Sequence, residues 1–163
     1  MSNKRIIGID PGTGILGFGV IEVQNSKLSL VDGGVIRTPV KEDDAVRLST
    51  IYDELSDIIA QTKPTDMAVE KLFFAQNVTT AMTVAQARGV VLLCGRQSGL
   101  DIAEYTPLQI KQALTGYGRA EKKQMQEMVR VLLKLPEIPK PDDCADALAA
   151  AIAHSMTHQA LRS

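Results

Sequence analysis

The sequence predicts an α/β domain in which helices flank a mixed five-stranded sheet. Three observations carry this. Apolar β-branched runs follow one another over the first 36 residues, helical and strand patterns alternate through the middle, and the last third is helical. Residues 5–10 form a short apolar run closed by Asp-Pro-Gly, which reads as a buried strand entering a turn. Residues 17–23 and 28–36 read as two further strands, joined through the polar hairpin Gln24-Asn-Ser-Lys27. Over residues 43–61, Val46, Leu48, Ile51, Leu55, Ile58 and Ile59 recur at helical spacing behind an acidic start. A Lys63-Pro64 turn opens a fourth strand at 66–70, a long helix occupies 77–97, and 101–105 is the fifth strand. Residues 107–114 form a short helix ending in the loop Gly116-Tyr-Gly118, and two more helices cover 121–135 and 142 to about 159. Such an order gives an antiparallel meander first, then helix-linked strands.

At 163 residues, a single domain over 1–163 is expected, large enough to bury a proper core. Hydrophobic residues at 45% and charged residues at 23% exclude disordered, collagen-like and coiled-coil chains. The net charge of −1 announces no strongly basic nucleic-acid binder. Cys94 and Cys144 form no CxxC pair, which argues against a disulfide scaffold or cysteine zinc site and suits a reducing cytoplasm. The first residues hold too short an apolar stretch for a signal peptide, and the longest apolar runs fall short of a membrane span. A cytoplasmic protein without membrane association is expected.

The helix at 77–97 carries apolar residues around most of its circumference, among them Val78, Met82, Val91 and Leu93. A helix of that kind is buried on both sides. One side can cover the sheet; the other meets either a second subunit or the helices at 121–135 and 142–159.

The acids stand out by position. Asp10 and Glu70 each close a predicted strand, where ligands bind in open α/β sheets. Asp142, Asp143 and Asp146 open the last helix, and either of the first two shares a face with Asp146. Singly, each has an ordinary reading: Asp10 as a turn residue, Glu70 as a polar strand end, the others as cap and dipole partners. Together they repel unless cations neutralise them. Oxygen ligands without His or Cys suit Mg²⁺ or Mn²⁺. Two such ions about 4 Å apart activate water and stabilise a leaving oxygen in phosphodiester hydrolysis. Pro139-Lys-Pro141 keeps the chain extended, so Asp142 is the earliest possible helix cap, leaving Asp143 in the first turn.

Residues 109–134 hold six cations (Lys111, Arg119, Lys122, Lys123, Arg130, Lys134) against two anions (Glu121, Glu127). This reads as a phosphate-binding strip or as a solvated, ion-paired face. Phe73 and Phe74 follow Glu70 and point opposite ways in extended chain, so one of them is free to stack on a base unless loops or a second subunit cover both. His154 and His158 are four apart on the last helix, a spacing that can hold a metal, two and three turns beyond Asp146. They read as an ordinary solvent-facing pair, too distant to join the acids.

A family resemblance covers about residues 5 to 155. Gly8-Ile-Asp-Pro-Gly-Thr13 with Gly17-Phe-Gly-Val20, Val69-Glu70 with Phe73, Gln86-Ala-Arg-Gly89, and Tyr105-Thr-Pro107 with Lys111 resemble RuvC-family Holliday-junction resolvases. So do Gly116-Tyr-Gly118 with Ala120 and Lys122, Leu132-Leu-Lys-Leu135, and Asp143-Cys-Ala-Asp-Ala-Leu148, in the same order. One departure is Leu16, where many members carry Thr; it touches the glycine turn and not the acids. The resemblance implies a ribonuclease-H-like fold and a homodimeric, Mg²⁺-dependent endonuclease with two ions per site, Mn²⁺ substituting. It implies symmetric nicking of a four-way DNA junction, with ligatable ends, in recombination and repair, alongside RuvA and RuvB. By position it makes Asp10, Glu70, Asp143 and Asp146 the metal ligands. It places Lys111 and Lys122 beside the scissile phosphate and Phe73 against a base, while the strip adds Arg119 and Lys123 to the DNA contacts. A related nuclease acting on RNA is disfavoured by the Ala75-Gln-Asn77 and Gly116-Tyr-Gly118 loops, and a silent junction-binding module by the intact acids. A two-lobed sugar-kinase-like ATPase needs a longer chain.

Overall fold

The computed structural model describes residues 3–71 and 78–162. Its elements are β1 (Lys4–Asp10), β2 (Ile15–Gln24), β3 (Lys27–Arg37), α1 (Asp44–Thr62), β4 (Asp66–Glu70), α2 (Val78–Gln97), β5 (Asp101–Tyr105), α3 (Pro107–Thr115), α4 (Lys122–Leu132) and α5 (Asp142–Arg162). The sheet order is β3-β2-β1-β4-β5. The first three strands pair antiparallel, and β4 and β5 add in parallel beside β1. The expected mixed five-stranded sheet is therefore present, with β1 at its centre.

Local chemistry explains the joints. Asn25 and Ser26 both take positive φ (52° and 64°), so the two-residue β2–β3 turn has the left-handed backbone conformation that matches the right-handed twist of its strands. Thr106 caps α3 through a reciprocal capping box with Gln109, Pro107 follows it, and Gly116 ends the helix at φ 73°. The helix expected to reach residue 135 stops at Leu132. Lys134 turns left-handed at φ 54°, and Leu135 precedes Pro136, which disfavours further helix.

The sheet has a helical layer on each face. Ile7, Ile9, Phe18, Val20, Met67 and Val69 face α1 and α2. Ile6, Ile21 and Ala68 face α3, α4 and α5. Alternation puts Gly8 and its register partner Gly19 on the α5 side, with Gly17 opposite Asp10. A Cβ on Gly8 would stand 1.9 Å from the carbonyl oxygen of Ala147, and one on Gly17 would stand 2.0 Å from that of Asp143. These strands lack side chains there because the α5 backbone occupies the space. Ala145, Ala147, Ala149, Ala150, Ala151 and Ala153 are all buried, so the helix is correspondingly thin.

α2 departs from the expectation of all-round burial. It covers the α1 side of the sheet with Ala87, Val91, Cys94 and Gly95, and Arg88 pairs with Glu104 of β5. Its far face is open: Val78, Met82 and Leu93 are 74%, 59% and 52% exposed. Cover by α4 or α5 is ruled out, since both lie across the sheet. Against the sequence expectation, α2 is long and apolar enough by composition to cross a membrane, the one such helix among the described residues. Arg88 and Arg96 interrupt its apolar run, so no uninterrupted apolar stretch reaches that length.

Candidate active site

β1 and β4 run parallel in a register that aligns Ile9 with Val69, so the next residues, Asp10 and Glu70, lie side by side at the carboxyl edge of the sheet. Both point to the α5 face. The glycine step at Gly17, directly opposite Asp10, lets the first turn of α5 descend onto that edge. Asp143 and Asp146 are thereby carried towards Asp10 and Glu70. The structure brings together the four acids singled out from the sequence.

Their electrostatics record the crowding. Burial, then the charges of Glu70 and Asp146, a hydrogen bond to Glu70 and the charge of Asp143 push Asp10 up to about 9. Burial and Asp146 also raise Glu70, opposed by the hydrogen bond from Asp10 and by the Lys111 ammonium. Burial raises Asp146, opposed by Lys122. Convergence of these carboxylates therefore disfavours negative charge on Asp10. This donor set fits hard divalent cations.

A groove of about 230 Å³ opens beside the acids, lined by Glu70, Lys111, Lys122, Gln126 and Asp146 among others. Lys111 stands on α3, and Lys122 is the first residue of α4, across the groove mouth from α5. Arg119 is exposed in the α3–α4 connection and Lys123 is exposed beside Lys122. The basic strip is partly engaged internally: Arg130 is hydrogen-bonded to both oxygens of Glu127 and to the Leu135 carbonyl. Phe73, with the rest of residues 72–77, lies outside the described residues.

Asp142 does not cap α5 from outside. It is the first helical residue, and its carboxylate pairs with Lys122 Nζ at 2.9 Å and accepts from Gln126 Nε2 at 3.1 Å. The bond from Cys144 N–H to the Pro141 carbonyl makes Asp142 a helical residue rather than the cap the sequence suggested. Both partners of the ion pair are more than half exposed, so it contributes little to stability. Asp142→Asn is expected to cut junctions at nearly the parent's rate, and Asp142→Ala to leave the chemical-denaturation midpoint almost unchanged.

The histidines are the main correction. His154 is buried, not solvent-facing: Nε2 is 2.7 Å from Asp66 Oδ2 and Nδ1 is 2.6 Å from the Tyr105 hydroxyl. Only His158 faces solvent, its side chain 44% exposed. The missed signal is Asp66, which opens β4 an even number of residues before Glu70 and so lies on the same sheet face.

A mixed sheet of this order, with acids at the ends of its central strand and parallel neighbour and on the helix crossing them, defines a ribonuclease-H-like nuclease fold. Comparison with known proteins gives the narrower assignment. Residues 6–154 match the family model described as crossover junction endodeoxyribonuclease RuvC. The crossover junction endodeoxyribonuclease RuvC of Heliobacterium modesticaldum is 61% identical over 154 residues, covering 93% of this chain and 95% of that protein. The Roseiflexus sp. protein of the same description is 54% identical over 162 residues, with coverage of 99% and 96%. Thermus thermophilus RuvC, solved in complex with a Holliday junction substrate, superposes with a TM-score of 0.92 at 36% identity, covering 96% of each chain. The chain belongs to the RuvC family of crossover junction endodeoxyribonucleases.

Proposed function

We propose that residues 1–163 act as one nuclease domain that resolves four-way DNA junctions by symmetric, metal-dependent hydrolysis of two phosphodiesters, serving recombination and repair. The observation that carries this is the crowded acid quartet on the sheet edge, facing a groove rimmed by two lysines. Asp10, Glu70, Asp143 and Asp146 hold Mg²⁺, two ions per site, with Mn²⁺ able to substitute. When bound, the ions activate a water and stabilise the leaving oxygen. The chain's residues do the rest. The carboxylates take up the ions and give up the proton on Asp10. Lys111 and Lys122 draw the scissile phosphate into the groove and offset charge developing on it. For Lys122 this means leaving Asp142, an exchange made cheap by the exposure of that pair. Arg119 and Lys123 hold flanking phosphates, and Phe73 stacks on a base near the crossover.

A synthetic four-way junction and a matched linear duplex, each with and without Mg²⁺, test the reading. Paired nicks in the junction alone, only with metal, are expected; equal cutting of both substrates would refute structure selectivity.

The open face of α2 supports a homodimer, whose two sites match the two scissile strands of a two-fold junction. The same face answers α2's membrane-like composition, and the enzyme works in the cytoplasm beside the RuvA and RuvB branch-migration proteins. Light scattering at micromolar concentration is expected to give twice the 17.6 kDa chain mass, and Met82→Glu with Leu93→Glu to give the single mass.

A further inference from the structure

β4 and α5 meet a second time, at the ends away from the groove. Asp66 shares its sheet face with Ala68 and Glu70 and lies about 13 Å from Glu70 along the strand. α5 runs back over that face, and His154 stands about 12 Å beyond Asp146 along the helix. Asp66 is buried. Its Oδ2 lies 2.7 Å from His154 Nε2 and 3.9 Å from His158 Nε2, and Lys4 Nζ approaches the same oxygen at 2.9 Å. Thr65 Oγ1 donates to Oδ1 at 2.7 Å. The two imidazole rings are 4.2 Å apart and edge-to-face.

A buried Asp–His hydrogen bond alone is an ordinary structural feature. This cluster has three further properties. A second imidazole, one helical turn on, is aimed at the same carboxylate oxygen, and the three ligand atoms lie within 4.8 Å of one another. The separations of 2.7 and 3.9 Å bracket the ~3.3 Å edge of a tetrahedron with bonds of ~2.0 Å. The buried ligands already have outer partners, Tyr105 for His154 and Thr65 for Asp66, as metal-bound imidazoles and carboxylates do. The exposed side of His158 leaves a way in from solvent.

We infer that Asp66 Oδ2, His154 Nε2 and His158 Nε2 form a site for Zn²⁺ or a similar borderline transition-metal ion, completed by water, that clasps the start of β4 to the end of α5. Two imidazoles and one carboxylate select such ions, whereas the all-oxygen quartet selects Mg²⁺ or Mn²⁺. Protons balance within the cluster. Without metal, His154 Nε2–H donates to Asp66 and the Tyr105 hydroxyl donates to Nδ1. With metal, the imidazole proton sits on Nδ1 and donates to the Tyr105 oxygen, whose own hydrogen turns to Thr157 Oγ1. Thr157 lies within hydrogen-bonding reach of Tyr105 and already donates to the Ala153 carbonyl. Lys4 opposes a dication on the same oxygen but is part-exposed and able to swing into solvent.

Zn²⁺ titration of the metal-stripped full chain against a chromophoric chelator tests the site. One tight equivalent per chain is expected, unchanged in Asp10→Asn, which disables only the groove. His158→Ala, at a half-exposed position, is expected to fold, to cut junctions with Mg²⁺ and to bind Zn²⁺ more than about 100-fold more weakly, since losing even an outer partner costs 10–100-fold. Lys4→Gln is expected to bind several-fold more tightly. Zn²⁺ should raise the melting temperature of the parent and of Asp10→Asn but not of His158→Ala. The absence of a tight equivalent in the parent, or an unchanged affinity in His158→Ala, would overturn the assignment.

Discussion

Asp10→Asn and Asp146→Asn are each expected to lower Mg²⁺-dependent junction cleavage by well over about 100-fold, beyond the 10–100-fold that removing an outer partner of a metal ligand costs. Junction binding should persist or tighten, because a negative charge facing phosphate is gone. Asp10 carries a second readout. Its folded pKa of about 9 lies far above the ordinary 3.8. A group raised on folding contributes stability that is complete below its unfolded pKa and is lost as pH rises through the folded one. The metal-free protein should therefore melt at progressively lower temperature from about pH 4 to about pH 9. Asp10→Asn, which cannot ionise, should flatten much of that slope, and Mg²⁺ should raise the melting temperature of the parent at pH 8 more than that of the variant. A variant that keeps full activity and the parent's slope would remove Asp10 from the site.

Gly8→Val is expected to prevent folding at ordinary temperature. The added Cβ alone would overlap the Ala147 carbonyl at 1.9 Å, within a fully buried helix–sheet contact, and overpacking of far smaller size costs about 1–3 kcal/mol. Neither the sheet centre nor the α5 backbone can withdraw to relieve it. Gly17→Ala is expected to act on function more than on stability. Its Cβ meets the Asp143 carbonyl at 2.0 Å, where α5 begins and can lift away. Lifting it carries Asp143 and Asp146 off Asp10 and Glu70, and an ångström of misplacement suffices for about a 100-fold loss of rate. Circular dichroism melts beside junction cleavage separate the two outcomes. A Gly8→Val protein with normal stability would contradict the close approach of α5.

Most of the architecture was legible before any coordinates. Strands 66–70 and 101–105 coincide with β4 and β5, because short segments bounded by the turn residues Lys63-Pro64, Gly99 and Pro107 leave the backbone few alternatives. The acids were legible for a similar reason: Asp10 and Glu70 end strands, and Asp143 and Asp146 share a helix face whichever way the helix is turned. Where the prediction slipped, a contact distant in sequence intervened. Asp142 reads as a cap from its neighbours, but Lys122, twenty residues away, takes its carboxylate. α2 reads as buried all round, yet the three helices at the chain's end pack across the sheet from it, so Val78, Met82 and Leu93 are left exposed among the described residues.

From residue order alone came the α/β class, the strand and helix inventory, the acid quartet and the family whose motifs run from Gly8 to Leu148. Those are local properties: periodicity, turn chemistry and spacing along one element. Only the tertiary structure decided that glycines at 8, 17 and 19 seat α5 against the sheet, and that His154 turns inward to Asp66. Each of these depends on which faces of two elements meet, and a 3.6-residue or two-residue repeat states which residues share a face without stating what that face will touch.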